Sequence, residues 1–229
     1  MKAKGLTLMS LMVLMGLFGC ASHKIKALAP EPIEVYRVQE TVGDVTIAAD
    51  AFDTEKEVED TFTVNLNAGG YVPVLLVMDN HSEDNMLLIK DEIELLDSAG
   101  NMLKPVPANV MVEDFEHNKM AYALFGFGIL SYMSADEANE DMKKDWSGKE
   151  LPTEKVLIPH RKIYGVVYFK LGEGLATLSN STLHVPVHNM RTGETHSAKL
   201  RLAGGVPVPD VGSSPQGKKE EEKLSIPYK

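Results

Sequence analysis

Leu183-His-Val-Pro-Val-His-Asn-Met-Arg-Thr-Gly-Glu-Thr-His-Ser-Ala-Lys-Leu-Arg-Leu202 is the stretch whose reading decides the fold. Apolar and polar residues alternate on both sides of Thr192-Gly193, the two-residue period of half-buried strands joined by a turn. With Thr192-Gly193 as the central turn residues, Leu183 faces Leu202, Val185 faces Leu200 and Val187 faces Ala198. That face is wholly apolar. The other face sets His184 opposite Arg201, Pro186 opposite Lys199 and His188 opposite Ser197. A one-residue slip would exchange the two faces, so the register is strongly specified. Pro186 lacks an amide donor, which predicts a sheet edge or a bulge there.

Working outward, the first half of the chain also reads as β. Val45-Thr46-Ile47-Ala48 and Thr61-Phe62-Thr63-Val64-Asn65-Leu66 alternate at the strand period. Val74–Met78 is a denser apolar run that predicts a strand covered on both faces, with Pro73 at its start and Asp79-Asn80 at its end. Ile93–Leu96 and Met102–Lys104 flank the turn cluster Asp97-Ser98-Ala99-Gly100-Asn101, a hairpin signal. Strands resume at Lys155–Ile158 and Ile163–Lys170.

Between them the pattern changes. Residues 109–146 contain no proline and little alternation, and Ser134-Ala135-Asp136-Glu137 has the S-x-x-E spacing of a capping box. The expectation is a helical insertion of two helices, broken near Gly126 to Ser134. Seven or eight strands with regular turns predict a mainly β fold, a β-sandwich of immunoglobulin-like architecture carrying that insertion. The Cys…Trp…Cys signature of true immunoglobulin domains is missing, since the chain has one cysteine and Trp146 falls in the helical part.

The flanks read differently. Pro30 and Pro32 favour an extended path, so residues 20–37 read as a tether. Residues 203–229 combine Gly, Pro and Ser with Lys218-Lys219-Glu220-Glu221-Glu222-Lys223, a composition that buries too little to order itself. The folded unit is therefore placed at 38–202.

At the other end, Lys2 and Lys4 precede a mostly apolar run from Leu6 to Phe18 that closes in Leu17-Phe18-Gly19-Cys20. The run is shorter than the roughly 20 apolar residues a spanning helix needs, and it has the parts of a secretory signal. A segment ending in Leu-x-Gly-Cys resembles the lipobox of bacterial lipoproteins. That resemblance implies cleavage between Gly19 and Cys20 by the lipoprotein signal peptidase and a diacylglycerol on the Cys20 thiol. It makes residues 1–19 a signal peptide and Cys20 the acylated first residue. Ala21, in place of the aspartate that favours inner-membrane retention, implies the periplasmic face of the outer membrane. The whole pattern resembles uncharacterised envelope lipoproteins with immunoglobulin-like domains, a likeness that brings no functional residues with it.

Removal of the leader takes away two lysines and shifts the formal charge from −10 to −12. So acidic a chain is a poor partner for nucleic acid or for electrostatic docking on anionic lipid. Its membrane attachment is expected from acyl chains. With Cys20 as the lone thiol, disulfides, cysteine nucleophiles and thiolate metal sites are excluded from the domain.

Signatures of chemistry are absent: no G-x-S-x-G, H-E-x-x-H, S-x-x-K or phosphate-cradling glycine loop occurs. His184 and His188 share a strand face but stand about 13 Å apart at the usual rise, and His196 points to the opposite face. They read as surface histidines, so no metal ligand is assigned. The acidic stretches Glu57–Asp60 and Asp79–Asn85 do not match calcium-loop spacing and read as solvated turns.

What remains is a non-enzymatic envelope module that uses no cofactor and binds or scaffolds another envelope protein. The alternative is a carrier for a small apolar ligand held between sandwich and insertion. The uncharged run Met120–Met133 is the candidate contact with partner or lipid, through Tyr122, Phe125, Phe127, Ile129, Leu130 and Tyr132.

Overall fold

The computed structural model describes residues 25–117, 132–171 and 178–202. Cys20, Gly19, the 203–229 tail and Tyr122, Phe125, Phe127, Ile129 and Leu130 lie outside the described residues. So does the side chain of Tyr132.

Two antiparallel sheets organise the chain. The first, sheet A, holds β1 (Val38–Val42), β2 (Val45–Ala51), β3 (Tyr71–Asn80) and β8 (Arg161–Lys170), in the order β1-β2-β3-β8. The second, sheet B, is built around β9 (Ser181–Asn189). Along one side of β9 runs β10 (Thr195–Leu202). Its other side is shared by β4 (Met86–Ile89) and β5 (Glu94–Leu96). Outside these lie β7 (Glu154–Leu157) on β4 and β6 (Met102–Leu103) on β5.

The inner faces share one apolar core. Ile47, Val74, Leu76 and Met78 of sheet A meet Leu88, Leu95, Leu183, Val185, Val187 and Leu200 of sheet B. The face sorting expected for the β9–β10 hairpin is present, with 183, 185, 187, 198, 200 and 202 all buried. Its register differs by two residues: Leu183 pairs with Leu200 and Val185 with Ala198. The turn is longer than two residues. The Asn189 amide donates to the Glu194 carbonyl at 2.8 Å, and Asn189 Oδ1 accepts from the amides of Arg191 and Thr192 at 2.9 and 3.0 Å. This side-chain-built turn leaves four residues outside the ladder. A shift of two preserves parity, so the faces survive it.

Pro186 occupies neither an edge nor a bulge of its own strand. It is buried where β4 ends and β5 begins, opposite a 3-10 turn at Lys90–Glu92. The neighbouring strand leaves the ladder where β9 has no donor to offer.

A second core lies on the outer face of sheet A. All ten residues of β3 are buried, as the dense apolar run predicted. Tyr71, Leu75, Val77, Val166 and Tyr168 there pack on α1 (Glu55–Phe62), α2 (Ala108–His117) and α3 (Tyr132–Lys149). The helical insertion is thus a layer over sheet A. Helix α3 begins at Tyr132, so Ser134 sits within its first turn and not at its cap.

Residues 61–66 are not a strand. Thr54 caps α1, its Oγ1 accepting from the Glu57 amide at 3.3 Å and donating to Glu57 Oε2 at 2.7 Å. The helix runs to Phe62 and ends on Thr63 at φ 60°. Phe62 and Val64 enter the outer core through the helix and the turn that follows. The tether reading also changes, because Ile33 is buried in that core and Leu28 and Tyr36 pack beside it.

Candidate binding groove

The lateral edges of the two sheets end differently. On one side β1 and β10 meet. Glu40 Oε2 accepts from the Lys199 backbone amide at 2.6 Å, and His196 lies so close to Gly43 that an added Cβ would stand 3.2 Å from its Nε2. A side-chain acceptor on an exposed ladder amide is one way to blunt an edge strand. On the other side, a cavity of about 570 Å³ opens beside β7 of sheet B and β8 of sheet A.

Three elements build its walls. The end of α3 supplies Asp145, Lys149 and the following Glu150, while the edge strands supply Lys155, Lys162, Ile163 and Tyr164. The N-terminal segment Ile25–Leu28 forms the third wall. A smaller cavity of about 340 Å³ lies on the other side of that segment, against Tyr36, Asp50, Phe52 and Leu75.

The exit of α3 is held in place by backbone contact. The Leu151 amide donates to the Val166 carbonyl at 2.8 Å, and a Cβ on Gly165 would fall 2.9 Å from Leu151 Cα. Only glycine permits that crossing. Glu150 then reaches two ways. One oxygen pairs with the buried Lys90 ammonium of the 3-10 turn, and the other accepts from the Ala108 amide at 3.3 Å where α2 begins.

Beside it, Lys149 and Asp145 form a buried i, i+4 ion pair, with the ammonium 5.4 Å from the centre of the Phe62 ring. Trp146, on the same turn, is completely buried. The Tyr168 hydroxyl donates to its carbonyl at 2.9 Å, and burial pushes that hydroxyl well above the usual tyrosine range, so it stays a donor. Phe115–Trp146 and Phe62–Tyr168 ring centroids stand 5.4 and 6.0 Å apart. Aromatic rings thus pack across the described interface between helices and sheet.

The histidines singled out in the sequence are tied into ordinary contacts. On the outer face of sheet B, His188 Nε2 lies 2.6 Å from Glu92 Oε2 and Nδ1 2.8 Å from Thr195 Oγ1. Among the described residues no group of three or more His, Cys, Asp or Glu could hold a metal ion.

The acidic stretch 79–85 is more than a solvated turn. Asn80 is buried and donates to the carbonyls of Asp84 and Leu157 at 2.8 and 2.9 Å, while Asp79 pairs with Lys162 at 3.2 Å. Arg191 grips both oxygens of Asp84 at 2.6 and 2.8 Å, and with Asn189 it holds that carboxyl below the usual range.

Sequence reasoning missed Lys90, Glu150 and Gly165. Only Gly165 carried a signal, a glycine inside a strand pattern.

No family model matches the chain, and no curated protein matches it. Solved structures give a partial likeness. The yjhA protein from Bacillus subtilis is 13% identical, with 66% of this chain and 78% of that chain covered, at a TM-score of 0.35. A functionally unknown protein from Listeria monocytogenes EGD-e is 11% identical, with 72% and 80% covered, also at 0.35.

Proposed function

We propose that this chain is a lipid-anchored envelope lipoprotein, held at the periplasmic face of the outer membrane. Its β-domain, read as an immunoglobulin-like sandwich, binds or scaffolds another envelope component without catalysing a reaction. The observation that carries this reading is Leu17-Phe18-Gly19-Cys20 at the end of a short apolar run, with Cys20 the lone cysteine. One structural feature supports it. The two facing sheets with a common core make a rigid body on which a binding surface can be presented. Met120–Met133 remains the proposed contact with the partner.

Metabolic labelling with an alkyne-tagged palmitate tests the anchor. Label is expected on the wild type and lost in Cys20→Ser; an unlabelled wild type sinks the reading. In-cell crosslinking of the wild type and of a 118–134 deletion then tests the contact. Loss of the main crosslinked partner is expected, and an unchanged crosslink pattern removes Met120–Met133 from the interface.

A further inference from the structure

The larger cavity lies at the foot of the N-terminal segment, and that position constrains what can reach it. Ile25–Leu28 form one wall, and Cys20 precedes Ile25 by five residues. Five residues span at most about 18 Å when fully extended. If Cys20 is acylated, the cavity mouth is held within that distance of the headgroup layer.

The rim suits such a layer. Ile25 is 59% and Tyr164 49% exposed, an apolar and an amphipathic side chain of the kind that rests at headgroup depth. Four lysines (26, 149, 155 and 162) line the cavity against two carboxylates, Asp145 and Glu150, in a chain whose formal charge is −10.

Most of these charges already have partners. Lys149 is paired with Asp145, Lys162 with Asp79 and Glu34, Glu150 with Lys90, and Lys26 donates to the Glu59 carbonyl. Lys155 differs. It projects from β7 opposite Leu88, whose side chain is in the inner core, and so it faces the gap between the sheets. It is half-buried and, among the described residues, has no ion-pair partner. An ammonium so placed can hydrogen-bond an incoming anion without first breaking an ion pair.

We propose that this cavity seats the phosphate of an anionic phospholipid headgroup from the leaflet that carries the anchor, with Lys155 as the principal cation. The inference rests on acylation of Cys20 and adds a headgroup-selective contact to it. The diacylglycerol chains supply persistent attachment, and the headgroup contact adds lipid selectivity. It also fixes orientation, because the β7/β8 edge then faces the bilayer.

The test uses the full-length lipidated protein in non-ionic detergent, titrated with dihexanoyl phosphatidylglycerol, dihexanoyl phosphatidylcholine and inorganic phosphate. Native mass spectrometry counts the bound molecules. Phosphatidylglycerol is expected to bind saturably and about tenfold more tightly than phosphatidylcholine, as roughly one to two lysines near a lipid surface would give. Lys155→Gln should weaken it about fivefold, Lys155→Arg should retain it, and Lys199→Gln on β10, across β9 from β4 and β7, should leave it unchanged. Equal binding of the two lipids, or no effect of Lys155→Gln, overturns the proposal. Phosphate binding as tightly as phosphatidylglycerol also overturns it, showing a site for free anions. Palmitate labelling of Cys20 separates the two readings. Label without headgroup selectivity removes this proposal and leaves the anchor, whereas no label removes both.

Discussion

Sheet A and sheet B are both antiparallel and share one core, yet they meet solvent in opposite ways. Sheet A is covered on both faces: by sheet B inside, and outside by α1, α2 and α3 with the segment around Ile33. Among the described residues sheet B is covered on one face only, and its outer side carries His184, His188, Glu94, Lys199 and Arg201. The difference shows in the strands themselves. β3 is buried at every position, whereas β10 alternates along most of its length. A strand's pattern thus reports how many layers lie over it, and the helical insertion supplies the extra layer.

The sharpest way to break this asymmetry is Trp146→Ala, which hollows the outer layer of sheet A. Truncating so large a buried ring should cost about 3–5 kcal/mol, read as a drop in urea midpoint with far-UV signal from both sheets lost together. A midpoint unchanged within error would mean that the helices do not stabilise the sheet. Next comes Glu150→Ala, which leaves the Lys90 ammonium buried without its carboxylate. Loss of one partner of a buried pair costs about 3 kcal/mol or more. Replacing both residues with methionine should recover most of that stability, and failure to recover would assign the effect to the Ala108 contact instead.

A smaller effect is expected from pH. Arg191 and Asn189 hold the Asp84 carboxyl below its usual range, so its contribution is complete above the ordinary carboxylate pKa. It is lost as pH falls through the lowered value. Asp84→Asn should therefore narrow the gap between urea midpoints measured at about pH 6 and about pH 3, and an identical gap would show that the Arg191 pair does not matter. The smallest change is predicted on the open face of sheet B. His184→Ala should shift stability by less than about 0.5 kcal/mol. A loss several times larger would mean that this face is covered after all.

The same asymmetry explains what could be read from the chain. Strand β3 was legible because a strand buried on both faces leaves a continuous apolar run. The face sorting of β9 and β10 was legible because parity survives any even shift. Their register was not, since Asn189 builds its turn from a side-chain oxygen where a Thr-Gly two-residue turn looked sufficient. Thr61–Leu66 alternates like a strand, but the capping box Thr54-x-x-Glu57 upstream commits the backbone to helix first. That signal was present and outweighs six residues of alternation. The groove was the least legible part. Lys155, Lys162, Glu150 and Ile25 are brought together only by the crossing at Gly165 and by the docking of a segment that reads as a free tether.

Glu150 has one further consequence. It holds the chain where the insertion enters, at Ala108, and it sits where the insertion leaves. The two junctions are clasped by a single carboxylate, so the insertion departs from and returns to the same point of the scaffold. Changing the number of residues in such a closed excursion alters closure entropy slowly, by only about 0.6 kcal/mol per doubling of length. The insertion can therefore be lengthened or shortened at small cost in closure entropy while the sheets beneath it keep their geometry.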